Sequence, residues 1–175
     1  KDLRWRIEHA QNVIEADRKR FKDLNIIASM QPSHAIGDLH FAEDRLGFER
    51  LSNAYTWKSF IDDGVVVVGG SDAPVEVGDP IIEFYAAVTR KDLDGYSSEG
   101  WNLKEALSRE EALEIFTKWP AFAIFKEDEL GTLEIGKLAD ITIFDQDIMT
   151  IPNKDILATK VVMTVVGGKI VYING

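Results

Sequence analysis

The sequence contains no cysteine in its 175 residues. Disulfide bonds, thiolate nucleophiles and cysteine-ligated zinc are therefore excluded, and the composition fits a cytoplasmic protein. Basic residues are also scarce, because 20 Lys and Arg stand against 30 Asp and Glu, a formal net charge of −10. Nucleic-acid binding needs clustered basic residues, so we expect no nucleic-acid partner. No apolar run approaches the roughly 20 residues of a membrane helix, so we expect no membrane partner.

An initial methionine is also lacking. The chain begins at Lys1 and goes almost directly into a predicted buried strand over residues 3–9. We therefore expect the numbered chain to be the later part of a longer protein.

Four consecutive valines, residues 65–68, are followed by Gly69, Gly70, Ser71 and Asp72. An apolar run without polar alternation predicts a strand buried on both faces, as in a parallel sheet covered by helices. Chemistry in such sheets and barrels lies at the carboxyl ends of the strands, where Asp72 would serve as a metal ligand or general base. The alternative is a turn or cap role, since Ser-Asp-x-Pro is ordinary turn sequence.

A second predicted strand, residues 3–9, also ends in side chains with metal-binding chemistry. Glu8 and His9 occupy adjacent positions and therefore face opposite sides of the strand. We expect His9 to be the metal ligand and Glu8 to be structural. The alternative for His9 is a hydrogen-bonded, half-buried histidine without a ligand role.

Strands and helices alternate along the first two thirds of the chain. Strands are predicted at residues 3–9, 25–30 and 65–68, and helices at 13–23, at 54–62, from Pro80 and from the capping box that begins at Ser108. The segment 31–52 is predicted to be a long irregular loop. A loop of this length inside an α/β unit is usually functional.

The last fifty residues have a different character. Gly131 and Gly136 lie in a turn-rich segment, and strands are predicted at 140–145, 161–166 and 169–173, the last two joined by a Gly-Gly hairpin turn. We therefore expect two parts: an α/β part over residues 1–128 and a small antiparallel β part over residues 129–175.

Several motifs occur together in the order found in a known family. They are Arg-Ile-Glu-His-Ala-Gln at 6–11, Ser-Met-Gln-Pro-Ser-His at 29–34, Glu-Asp-Arg-Leu-Gly at 43–47, Gly-Ser-Asp-Ala-Pro-Val-Glu at 70–76 and Gly-Thr-Leu-Glu-Ile-Gly-Lys-Leu-Ala-Asp at 131–140. In this combination the sequence resembles the metal-dependent amidohydrolases of amidohydrolase family 3, the YtcJ-like branch. The resemblance covers nearly the whole chain.

The resemblance implies an α/β fold, the C-terminal part of a (β/α)₈ TIM barrel, beside a small antiparallel β-sandwich domain. It places His9 at the end of the sixth barrel strand as a metal ligand. It places Asp72 at the end of the eighth strand as both ligand and proton shuttle. Gln31, His34 and Arg45 fall in the loop after the seventh strand, where substrate contacts are expected.

The sequence departs from the family pattern in lacking its first-strand His-x-His pair, its bridging acid or modified lysine and its fifth-strand histidine. About 130 residues are barrel-like, whereas a complete barrel needs about 250, so we expect roughly three of the eight strands. The expected function is therefore metal-dependent hydrolysis of carbon–nitrogen bonds in a small-molecule substrate by the longer protein. The cofactor expected in that protein is a divalent metal, zinc by preference.

The alternative is a catalytically silent fragment or assembly module, because the isolated chain lacks the upstream ligands. We expect the isolated chain to be inactive. The open edges of a partial barrel also predict a homo-oligomer, since unpaired strands promote association.

Overall fold

The computed structural model describes residues 2–97 and 100–175. Three parallel strands form the first sheet, in the order β1 (Arg6–Glu8), β2 (Ile27–Met30) and β3 (Val67–Gly69). The central strand β2 is buried at all four positions, whereas β1 is exposed at all three. The predicted burial of the first strand is therefore wrong, because β1 is an edge strand with a neighbour on one side only.

Eight α-helices surround and follow this sheet within the described residues. They are α1 (Glu15–Asp23), α2 (Pro32–Asp38), α3 (Ala42–Leu46), α4 (Phe48–Leu51), α5 (Trp57–Asp62), α6 (Pro80–Thr89), α7 (Arg109–Phe116) and α8 (Lys118–Ala123). Short 3₁₀ helices occupy Leu103–Glu105 and Asn153–Ala158. The element order is strand, helix, strand, several helices, strand, as parallel crossover connections require.

The prediction of an irregular loop over residues 31–52 is wrong, because this segment contains α2, α3 and α4. Pro32 occupies the first turn of α2. Backbone N–H groups in a first turn have no hydrogen-bond partner within the helix, so proline, which lacks this N–H, is well tolerated there. Gly47, with φ of +74°, separates α3 from α4. Helices this short show too little of the 3.6-residue period to be recognised from the sequence.

Two of the longer helices have side-chain caps at their N-termini. Asp79 caps α6, its Oδ1 accepting from the backbone N–H of Ile81 at 2.9 Å. At α7, Ser108 Oγ accepts from Glu111 N–H at 3.1 Å, and Glu111 Oε2 accepts in return from Ser108 N–H at 2.9 Å. This reciprocal pair is the capping box that the sequence predicted.

A second sheet, of three antiparallel strands, lies near the C-terminus. It comprises β4 (Ile141–Phe144), β5 (Val161–Val166) and β6 (Lys169–Ile173), with the predicted Gly167-Gly168 turn between the last two. Within the described residues this part is one sheet, not two packed sheets, and the parallel sheet is open, not closed into a barrel.

The main hydrophobic core joins the parallel sheet to its helices. Its buried members include Phe60, Val67, Phe84 and Ile115. Ile148 and Ile156 also belong to this core although they follow residue 128 in sequence. Arg109 holds the same segment by donating from Nη2 to the Ile151 carbonyl and Asn153 Oδ1. The division at residue 128 stays a prediction, and the segment 148–156 packs with the α/β part.

None of the helices described is both long and apolar enough to cross a membrane.

Gly69 at the end of β3 gives a direct test of how tightly α7 packs on the sheet. A Cβ there would lie against the Phe116 ring, 2.9 Å from Cδ1, whereas a Cβ on Gly70 would meet no atom within 4 Å. We expect Gly69→Ala to lower the free energy of unfolding by about 1–3 kcal/mol through overpacking. Gly70→Ala, the matched control, should change it by less than about 0.5 kcal/mol. Equal urea denaturation midpoints for the two variants would contradict this packing.

Candidate active site

Three strand ends converge at one edge of the parallel sheet. His9 follows β1, Gln31 follows β2, and Asp72 lies three residues beyond the end of β3. Parallel strands share a carboxyl edge, which is where α/β enzymes place their chemistry. The fold therefore gathers these three separated side chains at one place.

The imidazole of His9 is oriented by Gln31. His9 Nδ1 lies 3.0 Å from Gln31 Oε1. A carbonyl oxygen only accepts, so Nδ1 carries the proton and Nε2 keeps its lone pair. A histidine with one nitrogen held by an oxygen and the other free is the arrangement found in metal ligands.

His34, on α2, has the opposite tautomer. Its Nδ1 lies 3.2 Å from Gln11 Nε2, and an amide nitrogen only donates, so the proton of a neutral His34 is on Nε2. His34 Nε2 is buried and has no hydrogen-bond partner within the described part of the chain. Asp72 Oδ2 and Glu76 Oε1 each lie 3.9 Å from it, beyond hydrogen-bonding distance. His34 therefore presents an unused donor beside Asp72.

The two histidines also contact each other. Their rings are stacked, with centroids 5.7 Å apart and planes inclined by 30°. The stacking brings His9, His34 and, through His34, Asp72 into one group, which we call the strand-end cluster: His9, Gln31, His34 and Asp72.

Two residues of the strand-end cluster are among the ten non-glycine residues of the described chain with a positive φ. His9 has φ of +68° and Asp72 has φ of +59°, a left-handed conformation that is uncommon for residues other than glycine. Turn hydrogen bonds hold both, from Ala10 N–H to the Glu8 carbonyl at 2.9 Å and from Val75 N–H to the Asp72 carbonyl at 2.8 Å. Strain of this kind is common where side chains are aimed for function.

Helix α2, which carries His34, is anchored by Glu83 of α6. Glu83 Oε2 accepts from the backbone N–H of Ser33 at 2.9 Å, and Gln31, the N-cap of α2, provides no side-chain cap. Only 2% of Glu83 is exposed, and this burial raises the pKa of its carboxyl group. Glu83 was not predicted as a site residue from the sequence. The signal that could have identified it is an acidic residue inside the apolar run Pro-Ile-Ile-Glu-Phe-Tyr.

Glu8 and Arg45 lie apart from the strand-end cluster. Glu8 accepts from Ser29 Oγ on β2 and pairs with Arg6, and the Ser29 hydrogen bond lowers the pKa of its carboxyl group. Arg45 is exposed on α3, and no hydrogen bond or ion pair within the described residues joins its side chain to the cluster. The predicted substrate contact of Arg45 stays a prediction.

The donor chemistry of the cluster suits a divalent metal, but the number of donors falls short. The described residues contain no group of three or more His, Asp or Glu side chains placed to hold an ion. Catalytic zinc sites have three protein ligands. His9 Nε2 and the Asp72 carboxylate have the donor chemistry of two such positions, which is fewer than a catalytic zinc site needs.

The chain is similar to known proteins over nearly its whole length. The amidohydrolase family profile matches residues 1–172. The Bacillus subtilis (strain 168) protein named "Putative amidohydrolase YtcJ" is 33% identical over 167 residues, covering 95% of this chain and 32% of that protein. N-substituted formamide deformylase of Arthrobacter pascens is 29% identical over 176 residues, covering 98% of this chain and 31% of that enzyme.

A solved structure is also similar. The crystal structure of an uncharacterized metal-dependent hydrolase from Pyrococcus horikoshii OT3 matches with a TM-score of 0.73 at 30% identity, covering 85% of this chain and 30% of that one. The chain thus spans about a third of the length of the curated relatives it matches. The predicted membership is confirmed: the chain belongs to the amidohydrolase family.

Proposed function

We propose that this chain is the C-terminal part of a metal-dependent hydrolase that cleaves carbon–nitrogen bonds, other than peptide bonds, in a small amide-like molecule. The observation that carries the proposal is the strand-end cluster, in which two histidines of opposite tautomer stack on each other and one of them, His34, lies beside Asp72. The cluster supplies a lone pair, a proton donor and a carboxylate within one small volume.

In this proposal His9 and Asp72 hold the metal, zinc by preference, together with ligands from parts of the relatives' length that this chain does not cover. When bound, a divalent metal activates water and polarises the amide carbonyl. Gln31 keeps His9 in the tautomer that leaves Nε2 free to bind.

Asp72 moves the proton. Its carboxylate takes a proton from the attacking water as the carbon–oxygen bond forms, and then delivers that proton to the leaving nitrogen as the carbon–nitrogen bond breaks. His34 donates from Nε2 to the substrate and fixes its orientation next to Asp72. The name of the relative from Arthrobacter pascens supports an amide, imide or formamide as the substrate class.

Metal content tests the proposal. We expect plasma mass spectrometry to find a retained divalent metal in the protein of the relatives' full length and less than one equivalent in this chain, because the described donors form a partial site. Chelation should then abolish amide hydrolysis by the longer protein, and zinc should restore it. Hydrolysis that persists in metal-free protein would contradict the proposal.

A second candidate function, a non-catalytic assembly module, is favoured by the incomplete metal site and by open sheet edges. β1 and β3 are the outer strands of the parallel sheet, and β6, an outer strand of the second sheet, is exposed at all five positions. Unpaired strand edges promote association with other chains.

We therefore expect the isolated chain to form homo-oligomers, measured by sedimentation velocity. Val171→Lys in β6 should shift the distribution toward monomer, because a charge on an edge strand opposes edge pairing. Phe48→Lys, a charge change of the same size on α4, is the control and should leave the distribution unchanged. A wild-type monomer at all accessible concentrations would contradict the prediction.

A further inference from the structure

An open cavity of about 250 Å³ lies beside the strand-end cluster. It is lined by α2 and His40, by residues 76–78 of the segment after β3, by the first turn of α6 and by residues 92–94. This volume is below the roughly 300–1,000 Å³ of pockets that enclose a whole drug-sized ligand, so it suits one arm of a substrate. We call it the side cavity.

The side cavity is strongly acidic. Four carboxylates line it, from Glu76, Glu83, Asp92 and Asp94, and no Lys or Arg is among the described residues that line it. The one basic side chain there, His40, is already paired, its Nε2 lying 2.8 Å from Asp92 Oδ2. Glu76 lies 3.9 Å from His34 Nε2, and Glu83 and Asp94 have no ion-pair partner among the described residues, so the electrostatic character of the cavity favours a cation.

Glu83 is the second, independent sign of a ligand. Its side chain is 2% exposed, it accepts one backbone N–H through Oε2, and it forms no salt bridge within the residues that the structure describes. A buried carboxylate without a counter-ion is costly unless something pairs with it. Burial raises the pKa of Glu83, its hydrogen bonds with Ser33 act in the opposite direction, and the charge of Glu76 raises the pKa further.

The side cavity is connected to the strand-end cluster through Glu76. This residue lines the cavity, and its Oε1 lies 3.9 Å from His34 Nε2, which is itself 3.9 Å from Asp72 Oδ2. Ile36 and Ile82 also line the cavity, and their apolar side chains suit a short methylene chain. A substrate can therefore reach Asp72 with one end while its other end occupies the cavity.

We infer that the side cavity binds a protonated amino group of the substrate, so that the enzyme prefers amides carrying an ammonium group on a short alkyl arm. The identity of the arm as part of a substrate rests on the proposed function. The inference that the cavity binds an ammonium group depends only on the cavity and does not require the proposed function.

Binding is tested with n-butylammonium chloride added to this chain and followed by NMR chemical-shift titration, with 1-butanol as the neutral analogue. We expect saturable shifts for the ammonium at residues around the cavity and none for the alcohol. Glu83→Gln keeps an oxygen for the Ser33 N–H but removes the charge, and should weaken ammonium binding by at least about tenfold. Glu49→Gln, the same change on the exposed helix α4, should bind as wild type.

Gly37→Leu provides a second variant that does not disturb the anchoring of α2. Gly37 lines the cavity within α2, a Cβ there meets no atom within 4 Å, and leucine favours helix more than glycine does. We expect this folded variant to lose ammonium binding by filling the cavity. No saturable binding to the wild type, or wild-type binding by both cavity variants, would overturn the inference.

A matched substrate pair separates this inference from the proposed function. The full-length enzyme should hydrolyse N-(4-aminobutyl)acetamide with about tenfold higher kcat/KM than N-pentylacetamide, and Glu83→Gln should remove the preference. Hydrolysis of both amides at equal rates would overturn the substrate class. Ammonium binding without hydrolysis of either amide would overturn the proposed function and leave the cation site standing.

Discussion

Replacing Asp72 with Asn should lower kcat for amide hydrolysis by about 10²–10⁴ in the full-length enzyme, because the proton carrier between water and leaving nitrogen is lost. Asparagine is nearly isosteric and tolerates the left-handed backbone at this position, where φ is +59°. The fold should therefore survive, and the loss should appear in kcat. Steady-state kinetics with metal analysis of the same samples measures both quantities.

Asp23→Asn is the matched control for this variant. Asp23 ends α1, is exposed and lies outside the strand-end cluster, so the same chemical change there should leave kcat within about twofold. If Asp72→Asn retained wild-type kcat and wild-type metal content, Asp72 would be neither the shuttle nor a ligand, and the turn role considered for Ser-Asp-x-Pro would stand.

Removing the unused donor of His34 should have the second largest effect. We expect His34→Ala to lower kcat by about 10²–10³, the usual cost of losing a hydrogen-bond donor aimed at developing charge. His34→Gln retains an N–H donor and should recover part of the loss. Metal content should be unchanged in both variants, because the proton on Nε2 leaves His34 without a lone pair there.

Nitrogen-15 NMR of the two imidazoles checks the premise of this prediction. His34 should show its proton on Nε2 and His9 on Nδ1, as their amide partners Gln11 and Gln31 require. A metal content that falls in His34→Ala, with no recovery by Gln, would show that His34 is a ligand and that the tautomer assignment is wrong.

The sequence was informative wherever a feature depends on adjacent residues. Four valines predicted β3 and hence the position of Asp72, the Ser108 capping box predicted the start of α7, and Gly167-Gly168 predicted the β5–β6 turn. Each of these signals lies within a few residues of the structure that it specifies. Local propensity and turn chemistry therefore suffice for them.

Features that depend on distant partners were missed. The anchoring of α2 joins Ser33 to Glu83, fifty positions away, and no local pattern predicts such a contact. The exposure of β1 was likewise missed, because apolar content does not reveal whether a strand has neighbours on one side or two. The candidate site itself was predicted in part, since His9, Gln31, His34 and Asp72 converge but Arg45 does not join them.

The left-handed backbone at His9 and Asp72 lowers the stability of the chain at two residues of the strand-end cluster. Each such residue costs about 1–3 kcal/mol that the surrounding turns must offset. Glycine at either position would relax the backbone and remove the functional side chain at the same time. A substitution that relieved this strain would therefore stabilise the chain and remove part of the strand-end cluster, so the proposed activity limits how far these two positions can be optimised for stability.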